Sequence, residues 1–561
     1  MPSFAELKQQ RQSRQRPRVE GVGGPSLSQG SAPLDTSLPI ASSSTHPSPP
    51  PAPVRPDSPA PITNASLYDL PPTLSARISK THGRGVYATS HLKKGTVIYK
   101  TKPTVSTLSS SSLESYCSKC GLSPTDVFLS SSTPTPPSPL KRCAICRVMH
   151  YCSVGCQRAD WAAHKPECAA LCALRTVYTR SFPDRDKHRQ WLMPESTRAL
   201  GRLCWARRAA RQAQGGVDPD WWTAIAAMES HVKRLSEDEV LKLGKQVQLL
   251  RQYLSMAQPG AVDAATPPIA SMEEFGFGAS AELLDLISAL GVNSFTLSTP
   301  SLDNIGMTTS PTAALFNHSC RPNCVVVFPT GAAQLEVVTI DNIPAGEEVL
   351  ISYVDVSMSR EQRRKDLKEG YGFDCDCPLC QEQEGKEPQW DARQTAAIFQ
   401  AWDMADADKK GKLDPTAAMT KLPLLIEYLQ SFMPIESQPL FTLYRLYALY
   451  LSPQTSPSDH AKAVQAVALA YRGAEKLLPP GHPTRGVILA QWGKLLAMEL
   501  EGHVSKQEVL RRLMEAVVVL RKAYTACEEG FGPGGGLVGK EVEGLIRGCE
   551  GEIGLIRAHS M

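Results

Sequence analysis

Long hydrophobic runs are what this chain of 561 residues most plainly lacks. No stretch of about 18 consecutive apolar residues occurs, so no membrane-spanning helix is expected. The N-terminus has no apolar segment of the kind a secretory leader needs, so no leader is expected either. Excess charge of one sign is also missing. The chain has 60 Lys and Arg against 56 Asp and Glu, leaving a formal charge of +4. That balance does not imply a polyanionic partner. No basic residues are concentrated on a recognition helix, so direct nucleic-acid binding is not expected.

What is present points elsewhere. A hydrophobic fraction of 42% can build real cores. The length suggests roughly three or four domains. Sixteen cysteines without a leader argue for reduced thiols and metal sites rather than disulfides. Cys172, Cys204, Cys324, Cys527 and Cys549 lack ligand spacing and read as ordinary thiols. The other eleven fall into clusters.

Residues 1 to 72 are rich in Ser, Pro and Gln and lack apolar periodicity. They cannot bury enough surface to offset their ordering entropy, so a disordered tail is expected. Its basic start (Lys8, Arg11, Arg14, Arg16, Arg18) reads as solvated charge. Val86 to Ala88 and Thr96 to Leu108 read as strand, being β-branched and aromatic between Gly and Pro. Residues 188–256 read as helices, with Ile225, Met228, Val232 and Leu235 at helical spacing. A Pro/Ala-rich break follows near 257–271. Short strands return between Ser294 and Asp355, around a Pro344-Ala345-Gly346 turn. Beyond residue 386 the chain is Ala- and Leu-rich and reads as paired helices of a tetratricopeptide-like solenoid, without a crisp repeat signature.

The first cysteine cluster reads Cys117-x2-Cys120-x22-Cys143-x2-Cys146-x5-Cys152-x3-Cys156-x7-His164-x3-Cys168. Zinc takes four tetrahedral S or N ligands, so eight ligands imply two structural ions. Cys152 and Cys156 are one helical turn apart and are expected on one face of a short helix. A RING finger is the competing pattern, but its His sits mid-series and its last pair is closer. Two further signals lie downstream. Asn317-His318-Ser319-Cys320 is followed by Gly346-Glu347-Glu348-Val349-Leu350-Ile351-Ser352-Tyr353. Cys375-x-Cys377-x2-Cys380 then supplies three more thiols.

Tyr151-Cys152 through Trp161-x-x-His164-Lys165-x-Glu167-Cys168 resembles a MYND finger. The downstream signals resemble the SET domain of protein lysine methyltransferases. Together they resemble the SET-and-MYND family. The resemblance implies an α+β fold with several parts. The SET N-terminal part spans 73–110, the MYND finger 117–168, and a helical insert 175–290. The SET catalytic core spans 291–355, a post-SET zinc segment 356–385, and an all-α C-terminal domain 386–561. It also implies that the Asn317 segment threads through a loop.

In MYND fingers the ligand pairs interleave. That implies Cys117, Cys120, Cys152 and Cys156 on one ion, and Cys143, Cys146, His164 and Cys168 on the other. Linear pairing is the alternative. Three post-SET cysteines need a fourth ligand, and the family supplies Cys320, for three zinc ions per chain. The implied reaction is S-adenosylmethionine-dependent methylation of lysines on histone or non-histone proteins, and no strong general base is required. Tyr353 is implied as the catalytic tyrosine. Arg84, Glu229, Asn293, Asn317, His318 and Tyr371 are implied at the cofactor, with His318 using its imidazole. Phe295 and Tyr371 are implied to line the lysine channel.

Two positions depart from the family pattern. His231 stands where Asn is common, and Ser310 stands where an aromatic residue is expected. MYND fingers bind proline-containing peptides, which makes Gln157 and Trp161 candidate contacts. A monomer acting in nucleus and cytoplasm is expected. The rival reading is a scaffold with an inactive SET core.

Overall fold

In a computed structural model of the chain, the described residues are 60–61, 65–79, 82–130, 138–181, 191–258, 260–261, 269–332, 334–452, 456–500 and 504–558. Most of the expected tail, 1–59, lies outside them, as do parts of the Cys120–Cys143 insert and of the break near 257–271.

Five strands open the fold: β1 (Ala60–Pro61), β2 (Leu74–Ser79), β3 (Gly83–Ala88), β4 (Val97–Thr101) and β5 (Val105–Leu108). β1, β2 and β3 pair antiparallel in that order. Order therefore begins before residue 73, contrary to the composition-based boundary. Tyr68 is buried. Asp69 accepts hydrogen bonds from the Tyr99 hydroxyl (2.6 Å) and the Thr312 hydroxyl (2.9 Å). Contacts with distant strands hold a segment whose own composition favours disorder.

The finger contributes α1 (Pro124–Ser130), the β6 (Lys141–Arg142) and β7 (His150–Tyr151) hairpin, and α2 (Val154–Ser181). α2 runs 28 residues, past the finger's last cysteine and into the insert. The insert adds α3 (Glu195–Ala213), α4 (Asp220–Ala226), α5 (Glu237–Ser255) and α6 (Ser280–Asn293). The apolar spacing through Leu235 suggests one helix, but α4 stops at Ala226 and only a 3-10 turn forms at Val232–Arg234. Ser236 caps α5 through a reciprocal bond with Glu239, so the next helix starts only at Glu237.

β8 (Ser294–Ser298), β9 (Asn304–Thr309), β10 (Asn317–His318), β11 (Cys324–Val327), β12 (Leu335–Thr339) and β13 (Leu350–Ile351) complete the SET strands. They form small sheets, β5-β9-β8 and β11-β12-β4, with β10 and β13 paired in parallel. Alternation in the β11-β12-β4 sheet decides the packing. Tyr99, Cys324, Leu335 and Val337 face a core that includes Val86, Leu297 and Phe316. Val325, Val327, Val338 and Ile340 face a second core made largely of C-terminal helices.

Those helices follow α7 (Arg360–Tyr371) and α8 (Pro378–Glu382). They are α9 (Ala392–Lys409), α10 (Pro415–Gln430), α11 (Leu440–Leu451), α12 (Pro457–Leu477), α13 (Pro483–Leu496), α14 (Lys506–Phe531) and α15 (Gly536–Ala558). Each packs on the next, as a solenoid does. Leu489, Leu513, Leu520 and Phe531 cover the outer face of the SET sheet. No described helix is long and apolar enough to cross a membrane.

Candidate active site and metal centres

The parallel pairing of β10 with β13 places Asn317 beside Leu350 and His318 beside Ile351. Asn323 fastens this arrangement: its Nδ2 donates to the Glu348 carbonyl and its Oδ1 accepts from Leu350 N. Two motifs about 30 residues apart in sequence thus become one surface. The Asn317 amide donates to the Arg84 carbonyl (2.9 Å) and to Glu348 Oε1 (2.8 Å). Glu348 Oε2 accepts from His82 Nδ1 (2.9 Å). Gly85 makes this approach possible, since a Cβ there would lie 2.3 Å from Glu348 Oε1 and 2.7 Å from Asn317 Nδ2. Glu348 was not singled out by the motif reading, yet it is the carboxylate that holds the Asn317 side chain.

Arg84, Glu229 and Asn293 meet on one wall. The Arg84 guanidinium donates to the Ala227 carbonyl (2.8 Å) and lies 3.7 Å from Glu229. Asn293 ends α6 and donates its amide to the Glu229 carbonyl (2.9 Å) and the Ala289 carbonyl (2.7 Å). Asn293 therefore shapes the 227–231 loop. His231 lies on that loop, held by its backbone N–H on Ser288 Oγ.

His318 turns its ring toward Tyr353 and Cys320. Its Nδ1 accepts from the Tyr353 backbone N–H (3.0 Å), which leaves the proton of the neutral ring on Nε2. Nε2 lies 3.3 Å from Cys320 Sγ. Burial holds the imidazole pKa down at about 4, so the neutral form is the relevant one. Both ring nitrogens have partners inside the protein, the Tyr353 backbone N–H and Cys320 Sγ.

The aromatic groups converge on Tyr353. Its ring lies 4.7 Å from that of Tyr371 and 5.3 Å from that of His318. Phe373 lies 6.0 Å from His318. Tyr371 closes α7, and Gly372 at φ 72° turns the chain so that both aromatics reach this side. The Tyr353 hydroxyl donates to the Phe316 carbonyl (2.8 Å). Burial, then Tyr371 and Glu348, pushes its pKa above the usual tyrosine value. Phe295 on β8 packs against the same core as Tyr353. Ser310 is buried and its Oγ accepts from Ala313 N, capping the turn at 313–315.

Three ligand groups form: Cys117, Cys120, Cys152 and Cys156; Cys143, Cys146, His164 and Cys168; and Cys320, Cys375, Cys377 and Cys380. The interleaved grouping is the one seen. Sulfurs lie 3.5 Å apart in Cys152–Cys156 and 3.9 Å apart in Cys320–Cys375, and all ligand atoms of each group lie within 4.8 Å of one another. A tetrahedron with Zn–S near 2.3 Å has an edge of about 3.8 Å, so the donors fit zinc. These separations are far beyond a disulfide bond of about 2.05 Å. One local expectation fails. Cys152 precedes α2, which begins at Val154, so Cys152 and Cys156 do not share a helix. The turn at Ser153, whose Oγ accepts from Cys156 N, folds the two thiols together instead.

A family model of the SET domain matches residues 83–354. Histone-lysine N-methyltransferase SMYD3 of Mus musculus is 27% identical over 74% of this chain and 85% of its own length. SET domain and MYND-type zinc finger protein 6 of Schizosaccharomyces pombe is 29% identical over 55% of this chain and 52% of its own. N-lysine methyltransferase SMYD2-A of Danio rerio is 26% identical over 57% and 63% respectively.

The chain is similar to the SET-and-MYND lysine methyltransferases.

In this chain the third metal group and the tyrosine cluster are one structure. Cys320 sits two residues after His318, and Cys375 sits two after Phe373. Arg363, fully buried on α7, places its guanidinium 3.9 Å from Cys380 Sγ and bonds the Met358 carbonyl and Gln383. Four thiolates around a dication carry two negative charges, and a buried arginine beside them offsets part of that charge.

Proposed function

We propose that this protein transfers a methyl group from S-adenosylmethionine to lysine side chains of proteins, with Tyr353 as the catalytic tyrosine. The observation that carries the assignment is the convergence of Tyr353, Tyr371 and His318 at the edge of the Asn317–Arg84 surface. When bound, S-adenosylmethionine supplies an electrophilic methyl on a positively charged sulfur. Asn317, Arg84, Glu229 and Asn293 form the wall assigned to hold it, with His318 contributing through its backbone. Phe295 and Tyr371 line the lysine channel.

The Tyr353 proton is spent on the Phe316 carbonyl. The hydroxyl oxygen therefore presents lone pairs, which orient an amine and stabilise positive charge near it. The raised Tyr353 pKa keeps this hydroxyl protonated, so it does not act as a base. Glu348, the nearby carboxylate, is tied to Asn317 and His82. Deprotonation of the incoming lysine instead follows from its environment. Aromatic walls exclude water, and desolvation lowers an ammonium pKa. Aromatic faces also attract cationic groups.

Histones and other proteins are the proposed acceptors, in keeping with relatives named histone-lysine and N-lysine methyltransferases. Zinc at the three cysteine groups is assigned a structural role. Exposed Ile145, Val154 and Trp161 support a peptide-docking face on the finger. The proposed SET N-terminal part begins at residue 60, where pairing starts. Nuclear and cytoplasmic action is proposed with this substrate class.

Tyr353→Phe tests the assignment because it removes a hydroxyl and almost no volume. With labelled cofactor and a panel of histones and cell proteins, transfer is expected to drop about 10²-fold, as when one preorganised group is lost. Cofactor affinity by calorimetry is expected to hold. Wild-type turnover in the variant would remove Tyr353 from the catalytic role.

A further inference from the structure

The inner finger group, Cys143, Cys146, His164 and Cys168, is joined to the helical insert by buried charges. Glu167 is fully buried on α2. Its Oε2 faces His164 Nδ1 at 3.3 Å. A carboxylate only accepts, so Nδ1 carries the proton, and the lone pair is left on Nε2, which lies 3.6 Å from Cys146 Sγ. The same Oε2 accepts two bonds from Arg202 on α3, at 2.8 and 2.5 Å. Arg202 also grips Asp160 through Nη1 (3.0 Å) and Nη2 (3.3 Å). The Tyr151 hydroxyl donates to Asp160 (2.9 Å). Arg198, one turn earlier on α3, lies 3.9 Å from the second Glu167 oxygen and donates to the Leu108 carbonyl on β5. Two acids and two arginines are thus buried together and cancel in formal charge.

Among the described residues, the outer group, Cys117, Cys120, Cys152 and Cys156, joins no comparable ion-pair network. Only Cys117 is fully buried in it, whereas all four inner ligands are. Among the described residues, Ser153 is the polar side chain beside its thiols, 4.0 Å from Cys152 Sγ.

α3 continues from this network toward the cofactor wall. Arg207 pairs with Asp218 and lies 4.2 Å over the Trp222 ring of α4. Ala227, just after α4, supplies the carbonyl that Arg84 binds.

We propose that Glu167 and Arg202 are positioning residues. They fix His164 in its ligating tautomer, make the inner finger site the slowly exchanging one, and anchor the finger to the insert that backs the cofactor wall. The last element rests on the cofactor assignment above; the first two do not.

Two measurements test it on the full-length metal-loaded protein. The first uses the wild type, with a zinc chelator and N-ethylmaleimide, and follows each cysteine by mass spectrometry. Cys117, Cys120, Cys152 and Cys156 are expected to be alkylated at least about tenfold faster than Cys143, Cys146 and Cys168. Equal rates, or the reverse order, overturn the proposal whether or not any variant folds. The second compares Glu167→Gln, Arg202→Met and Arg202→Lys. Zinc release from the inner site is expected to quicken about 10–100-fold in the first two, with partial rescue by lysine, while the outer and post-SET sites hold their rates. KM for S-adenosylmethionine is expected to rise more than kcat falls. Unchanged inner-site release overturns the positioning role. Faster release with an unchanged KM overturns the link to the cofactor wall. Loss of activity through a faulty Tyr353 assignment would leave the alkylation order intact.

Discussion

The post-SET group and the outer finger group use the same four-cysteine chemistry in opposite settings. Cys320 touches the imidazole that holds the Tyr353 backbone, and Arg363 offsets the thiolate charge. Among the described residues, the outer group adjoins Ser153, and three of its four thiols are only partly buried. A ligand set identifies a metal site; its surroundings decide what losing the metal does. At the post-SET group, loss reaches the tyrosine cluster within two hydrogen bonds. At the outer group, it reaches a finger surface first.

Cys320→Ser should break this comparison most severely. It removes a ligand and the His318 partner together, so methyl transfer should fall to about 1% or less of wild type. Metal analysis should find about two zinc ions instead of about three. Cys152→Ser should lose one zinc as well, yet keep turnover on a short peptide within about tenfold. Equal activity losses would show that the outer group also supports the catalytic core. The shared hydrophobic core gives that outcome a route, because Cys117, Met149 and Tyr151 pack in one cluster with Val86 and Phe316.

A smaller effect is expected from Gly85→Ala. The added methyl would press on Glu348 and Asn317, and overpacking of this kind costs about 1–3 kcal/mol. Cofactor affinity should weaken roughly 10–100-fold with little change in turnover at saturation. An unchanged Kd from calorimetry would mean that Asn317 does not hold the cofactor. Arg363→Met sharpens the contrast between the two cysteine groups. Post-SET zinc should be released about tenfold faster, with the outer site unaffected. A matching change at both sites would point to general destabilisation rather than charge compensation.

Removing residues 1–59 should do least. The segment is rich in Ser and Pro, so a melting shift worth less than about 0.5 kcal/mol is expected. Cutting further, through Tyr68 and Asp69, should cost measurably more, since those residues are held by Tyr99 and Thr312.

The metal groups were the most legible part of the sequence. Cysteine pairs at short spacing carry their chemistry locally, and the interleaved arrangement matched the MYND resemblance. Strands and C-terminal helices were also legible, because alternation and helical spacing are local signals. Less could be read where the decision was made at a distance. The 60–72 segment looked disordered until distant hydroxyls claimed Asp69. The Ile225–Leu235 spacing looked helical, but α4 ends at Ala226 and only a 3-10 turn follows before the Ser236 cap. Ser310 stands where the resemblance expects an aromatic, and in the fold its hydroxyl accepts from Ala313 N.

The sequence by itself determined which atoms are available: twelve metal donors, an Asn-His pair, and tyrosines at positions 353 and 371. Only the tertiary structure decided how they are used. The parallel contact of β10 with β13 brought the His318 ring to the Tyr353 backbone and Cys320. The packing of α3 against α2 buried Glu167, Arg198 and Arg202 beside a metal ligand. The physical reason is common to both. A hydrogen bond or a buried ion pair depends on distance, orientation and the exclusion of water, and residues far apart in the chain acquire these only when it folds.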